Sequence, residues 1–115
     1  MKKTRPQFVS VTFDILAQWE GLPPAYRIYV GQQLPDHHQL VQHLFTEREW
    51  RWGSNIYLEE TLQILAPTGT YRILLEPVEP CLAKFRMRNY RTERGNVRWH
   101  KDGLFEIGKR PFETD

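Results

Sequence analysis

From Phe8 to Leu16 the chain sets Val9, Val11, Phe13 and Ile15 against Ser10, Thr12 and Asp14 in unbroken alternation. Successive side chains of an extended strand point to opposite faces, so this period of two predicts a strand with one buried side. GLPPAY then breaks the pattern with Gly21, Pro23 and Pro24, and a second strand resumes with Tyr26, Ile28 and Val30 on one face, up to a turn at Gly31. In PDHHQLVQHLFTE, Asp36 would cap a short helix bearing Leu40, Val41 and Leu44, or the same residues form an irregular hairpin; loop and strand is the preferred reading. Glu49 to Trp52 reads as a strand, Gly53-Ser54 as a turn, and Ile56 to Leu65 as a strand with Ile56, Leu58, Leu62 and Ile64 aligned. The turn Ala66-Pro67-Thr68-Gly69-Thr70 leads to Tyr71–Glu76, and the two flanking strands are expected to pair as a hairpin. Cys81 to Tyr90 is a further strand, and Val97–Trp99 is expected to pair with Leu104–Ile107 across His100-Lys101-Asp102-Gly103. About eight short strands at regular spacing predict an all-β, antiparallel sandwich or jelly-roll-like domain.

A length of 115 residues suits one domain, 1–115, with a basic N-terminal arm over 1–7 and a C-terminal arm over 108–115, where Pro111 stops the last strand. No internal repeat or linker divides it. Apolar runs are far shorter than the roughly 18 residues of a membrane span, which predicts a soluble chain without a membrane partner. MKKTRPQ begins with positive charge, but polar residues interrupt the apolar stretch behind it and no small-residue cleavage site follows, so no signal peptide is expected. The single cysteine, Cys81, excludes an internal disulfide and suits a reducing compartment.

Candidate chemistry is sparse. Asp36, His37 and His38 adjoin one another, with His43 near and His100 apart, but neighbours in a strand point opposite ways and no metal-ligand spacing recurs. Glu47 with Glu49 and Glu59 with Glu60 would supply an acid and a base, yet Arg48 and Arg51 flank the first pair and the second faces two sides of its strand; a solvated, ion-paired face is expected instead. There is no phosphate-binding glycine loop, no nucleophile elbow, and no base beside Cys81. No enzyme, metal or cofactor is predicted. Trp50 and Trp52 lie two apart and share a strand face; facing outward they would form a platform for sugar rings, and facing inward a share of the core, which a domain of this size favours.

Charge is the most informative feature. Lys84, Arg86, Arg88, Arg91, Arg94, Arg98 and Lys101 stand against one acid, Glu93, whereas from Glu47 to Glu79 six acids outnumber three arginines. In LAKFRMRNYR, alternation puts Lys84, Arg86 and Arg88 on one face and Ala83, Phe85 and Met87 on the other. A nucleic-acid binder would use this strip with Tyr90 and Trp99 as stacking rings, but the acidic middle opposes it. Opposite patches on one molecule fit docking within a larger assembly, for which arginine is suited by its planar fork. A solvated edge strand blunted by charge is the plain alternative. The expected contact surface is Lys84, Arg86, Arg88, Arg91 and Arg98, with Lys2, Lys3 and Arg5 and the tail from Lys109 as further grips.

The succession RIYVGQQL, HLFTEREWRW, NIYLEETLQI, APTGTYRILLEPV and LAKFRMRNYR, over roughly residues 26 to 107, resembles the small β-sandwich structural proteins of tailed-bacteriophage virions, by strand rhythm rather than by a diagnostic motif. In strand order it is also similar to jelly-roll carbohydrate-binding modules, of whose features only Trp50 and Trp52 match. The first resemblance implies a non-enzymatic virion protein, made in the host cytoplasm, that acts as capsid cement or decoration. Its partners would be major capsid or neck and tail subunits, in a multi-copy or homo-oligomeric assembly.

Overall fold

A computed structural model describes residues 6–21, 23–33, 41–50, 57–78 and 83–109. Among these residues there are eight strands: β1 (Gln7–Trp19), β2 (Ala25–Gln33), β3 (Val41–Glu49), β4 (Tyr57–Ala66), β5 (Gly69–Pro77), β6 (Ala83–Arg94), β7 (Val97–Trp99) and β8 (Leu104–Ile107). They form a three-stranded sheet in the order β4-β1-β6 and a five-stranded sheet in the order β3-β2-β5-β8-β7, antiparallel at every pairing. The protein is thus the all-β sandwich that its alternation predicts.

The core lies between the sheets. Val9, Val11, Phe13 and Ile15 of β1 are fully buried, and Tyr26, Ile28 and Val30 of β2 face them. Tyr71 and Ile73 of β5 and Phe105 and Ile107 of β8 complete that wall. Each such side chain removed from water contributes about 1.5–3 kcal/mol, which is how a chain of this size offsets the entropy of ordering. Trp50 belongs to this core, 4 % exposed, with its ring centroid 5.3 Å from Trp19 and 6.3 Å from Tyr26.

Two local expectations need correction. The strand expected to start at Glu49 does not: β3 runs from Val41 and ends at Glu49, after which the Trp50 amide bonds the Pro24 carbonyl and the indole turns inward, while Arg51 and Trp52 lie outside the described residues. The preferred loop-and-strand reading holds where it can be followed, since Val41 onward is strand and residues 34–40 lie outside the described ones. The hairpin expected across Pro67 does not form: β4 pairs with β1, β5 pairs with β2 and β8, and the short link carries the chain from one sheet to the other. Leu62, Ile64 and Ala66 of β4 and Tyr71 and Ile73 of β5 are all buried, so the two strands pack face to face across the core instead of edge to edge. The Tyr71 hydroxyl donates to the Pro67 carbonyl at 2.5 Å, which ties the link to the strand it enters.

Glu60 corrects a further expectation. It shares the inward side of β4 with Leu58 and Leu62 and is 5 % exposed, so it is no part of a solvated face. Its carboxylate accepts a 2.5 Å bond from the Tyr26 hydroxyl and lies 3.7 Å from Arg48 Nε of the opposite sheet. A buried charge needs such partners, and here they join the two sheets at one edge. The predicted pairing of Val97–Trp99 with Leu104–Ile107 is observed, with Asp102 (φ 58°) and Gly103 (φ 76°) reversing the chain between them.

Candidate functional site: a cationic sheet face

β6 is an outer strand of the three-stranded sheet and, among the described residues, pairs with β1 alone. As alternation requires, Phe85 and Met87 pack on the core while Lys84, Arg86 and Arg88 are exposed. Strict alternation continued through the strand would next turn Tyr90 outward and Arg91 inward. The structure does the opposite because β6 carries two bulges. Thr12 pairs with Arg91 and Asp14 with Arg88, so Asn89 and Tyr90 together oppose Phe13; Ser10 pairs with Arg94 and Val11 with Thr92, leaving Glu93 as a second extra residue. Each bulge shifts the phase of the strand by one. Asn89 takes the left-handed conformation (φ 57°) that a short polar side chain tolerates best after glycine.

The first shift adds Arg91 to the face of Lys84, Arg86 and Arg88 and turns Tyr90 to the core, 6.3 Å from Phe13 and stacked 5.0 Å from Trp99; the second restores the original phase, so that Arg94 lies on the same face. Across the sheet the register sets Arg86, Leu16 and Tyr57 in one row, Arg88, Asp14 and Glu59 in the next, then Arg91, Thr12 and Thr61, and then Arg94, Ser10 and Gln63. Phe8 and Leu65 pair beyond these.

The five cations do not stand alike. Arg91 is neutralised, with Nη1 3.3 Å from Asp14 Oδ1 and Nη2 bonded to Glu59, and it donates to the Asn89 carbonyl at 2.7 Å. Asn89 Nδ2 in turn donates to Asp14 at 3.2 Å, so the bulge residue and the ion cluster hold one another. Arg88 Cζ lies 3.7 Å from the centre of the Tyr57 ring and Arg94 Cζ 5.5 Å from that of Phe8, within the range of a cation–π attraction. Lys84 and Arg86 have no carboxylate partner among the described residues. The surface is therefore an ion-paired centre with charges free of acid partners toward the Lys84 end, flanked by apolar Leu16 and Tyr57.

Arg98, predicted to belong to the same strip, does not. It is on β7 in the other sheet, opposite Glu106. Because β6 and β7 lie in different sheets, the turn at Gly95 and Asn96 carries the chain around the edge of the sandwich, and a Cβ at Gly95 (φ 97°) would sit 2.5 Å from Val9 Cγ1. Lys2, Lys3 and Arg5, the tail beyond Lys109, Trp52, Cys81, His37 and His38 lie outside the described residues.

Among the described residues the acidic middle does not gather into one opposing patch either. Glu59 serves Arg91 on the basic face, and Glu60 is buried. On the outer face of the five-stranded sheet, Glu47 and Glu76 flank Arg27 at 3.4 and 3.3 Å. The bonds from Tyr29 and Arg27 hold the Glu76 carboxyl below its ordinary range. Further along, His100 Nε2 and Glu106 Oε2 are 2.9 Å apart, which lowers the Glu106 carboxyl likewise, beside a shallow depression lined by Thr70, Arg72 and Lys101.

Other chemistry finds little footing. The sugar platform is corrected at Trp50, whose indole is in the core. Tyr90 and Trp99 pack against the core as well, so the stacking surface expected beside the cations is absent at those two rings. Among the described residues, no group of three or more histidine, cysteine or acidic side chains is arranged to hold a metal ion, and no helix is long and apolar enough to cross a membrane. Periodicity pointed to Lys84, Arg86 and Arg88 but missed Tyr57, Phe8, Asp14 and Glu59 as their companions. The sequence signal for the bulge was the spacing of Met87 and Tyr90: two core-type residues three apart in a strand imply one extra residue between them.

Comparison with known protein families, curated proteins and solved structures yields no match to this chain.

Proposed function

We propose that this chain is a non-enzymatic structural protein that bridges neighbouring subunits of a viral particle, acting as capsid cement or decoration. The observation that carries the reading is the one-sided charge of β6, where Lys84, Arg86, Arg88, Arg91 and Arg94 share a face and Lys84 and Arg86 keep no acid partner among the described residues. A merely solvated edge needs no such one-sidedness, because scattered charge on either side would blunt it equally well. The virion setting rests on the resemblance in strand rhythm. The mechanism is adhesion: the basic face meets an acidic surface of a capsid, neck or tail subunit, where arginines pair with carboxylates and fix orientation. Binding to assembled subunits alone stabilises the assembly by mass action.

The test is incorporation of Arg86→Glu/Arg88→Glu into undecorated particles, measured by light scattering at low and high salt, with circular dichroism of the isolated variant. Loss of the particle-bound fraction with an unchanged β spectrum is expected, together with release of the native protein by salt. Normal incorporation of the variant rejects the proposal. Equal, salt-sensitive binding of the native protein to single-stranded nucleic acid would move the function to that partner.

A further inference from the structure

The outer face of the five-stranded sheet carries a different pattern. Tyr29 pairs with Phe45 on one side and with Leu74 on the other, so the three side chains form one row across β3, β2 and β5. Phe45 is 49 % exposed and Leu74 41 %, large values for apolar groups set side by side, and the Tyr29 and Phe45 rings are 5.1 Å apart. Along β5 the outward residues run Arg72, Leu74, Glu76, which is cation, apolar, anion at a spacing of two. Arg72 has no acid partner among the described residues, and Glu76 is fixed in place by Tyr29 and Arg27.

We propose that this face is a homodimer interface, with its two-fold axis along the Phe45–Tyr29–Leu74 row. Such an axis reverses the strand direction of the second copy while keeping its strand order. Leu74 then meets the other copy's Leu74, Tyr29 meets Tyr29, and Glu76 lies over Arg72 of the second copy, a contact made twice by symmetry. A sequence that reads cation, apolar, anion is complementary to itself in this arrangement and in no parallel one. Five strands about 4.8 Å apart, of up to nine residues rising about 3.3 Å each, give a face on the order of 600 Å². That is somewhat below the roughly 800 Å² per partner of a standard specific interface, so the pair exchanges with monomer on dilution. The surface is remote from the cations of β6, and its use does not depend on what they bind. A dimer would nevertheless give a bridging protein its second grip, by presenting two basic faces outward.

Sedimentation equilibrium of the purified full chain, from micromolar to millimolar concentration, tests this. The mass should rise from 13.8 kDa toward twice that value. Phe45→Ser/Leu74→Ser, which alters two exposed side chains, should remain monomeric with an unchanged circular dichroism spectrum. Arg72→Glu and Glu76→Arg should each weaken self-association by about tenfold or more, because like charges then meet. Mixed together, the two variants should pair with one another, since each new charge faces an opposite one. Arg86→Glu/Arg88→Glu should leave the dimer intact even if particle binding is lost. A monomer at every concentration, a dimer that persists in Phe45→Ser/Leu74→Ser, or a mixture no tighter than its components overturns the proposal.

Discussion

Arg91 on the three-stranded sheet and Arg27 on the five-stranded sheet each lie between two carboxylates, yet the surfaces around them differ. Beside Arg91 the cation row continues through Arg88, Arg86 and Lys84. Beside Arg27 the next row is apolar, Phe45 with Tyr29 and Leu74. The difference arises in strand phase rather than composition. β5 keeps a strict period of two against β2, so its outward positions are spaced evenly as Arg72, Leu74 and Glu76. β6 twice breaks that period: the first bulge adds Arg91 to the face of Lys84, Arg86 and Arg88, and the second restores the phase that puts Arg94 there.

The sharpest way to break the contrast is to delete Met87, which pairs one-to-one with Ile15. With one residue fewer between Phe85 and Asn89, Arg86 or Arg88 falls opposite Ile15 and points into the core, and an unpaired buried guanidinium should cost more than about 4 kcal/mol; no cooperative unfolding transition is expected in urea. Asn89→Val keeps the register but places a β-branched residue at positive φ, and urea denaturation should show a loss of about 1–3 kcal/mol, with Asn89→Gly near neutral. Asp14→Asn removes one of two acids holding Arg91. It should cost about 0.5–1 kcal/mol, and it should tighten particle binding at low salt by freeing positive charge on the basic face. The smallest effect is on the other face. Glu76 and Glu106 hold their protons less tightly when folded than when unfolded, so their contribution is complete above the ordinary carboxylate range and is lost as pH falls below about 4. The thermal midpoint should fall by a small amount over that interval, and less so in Glu106→Gln.

Alternation along β1 was enough to name its buried side chains, because a central strand with one covered face has little freedom in register. The β7–β8 pair was legible for a similar reason: its link is four residues long and contains Asp102-Gly103. The supposed hairpin at Pro67 failed because periodicity assigns a face to each strand and says nothing about its neighbour. Two strands with inward residues fit equally well side by side in one sheet or stacked across a core. Glu60 escaped notice on the same ground, since its partners Tyr26 and Arg48 are distant in sequence and lie in the opposite sheet. The cationic face was half legible. Lys84, Arg86, Arg88 and Arg94 follow from alternation, whereas Arg91 joins it only through a bulge, and Arg98 leaves it because the chain crosses to the other sheet at Gly95.

The topology also orders events during synthesis. β1 is translated first, but it lies between β4 and β6, and its Ser10 pairs with Arg94. At roughly 5–20 residues per second, β4 is complete roughly 2–9 s after β1 and β6 roughly 4–15 s after it, so both edges of an apolar, β-branched strand are without partners through the first interval and one edge through the second. The nascent chain thus carries an aggregation-prone segment exposed until β6 is made, so its yield in the cell should depend on chaperones that hold extended apolar segments more than on the stability of the finished fold.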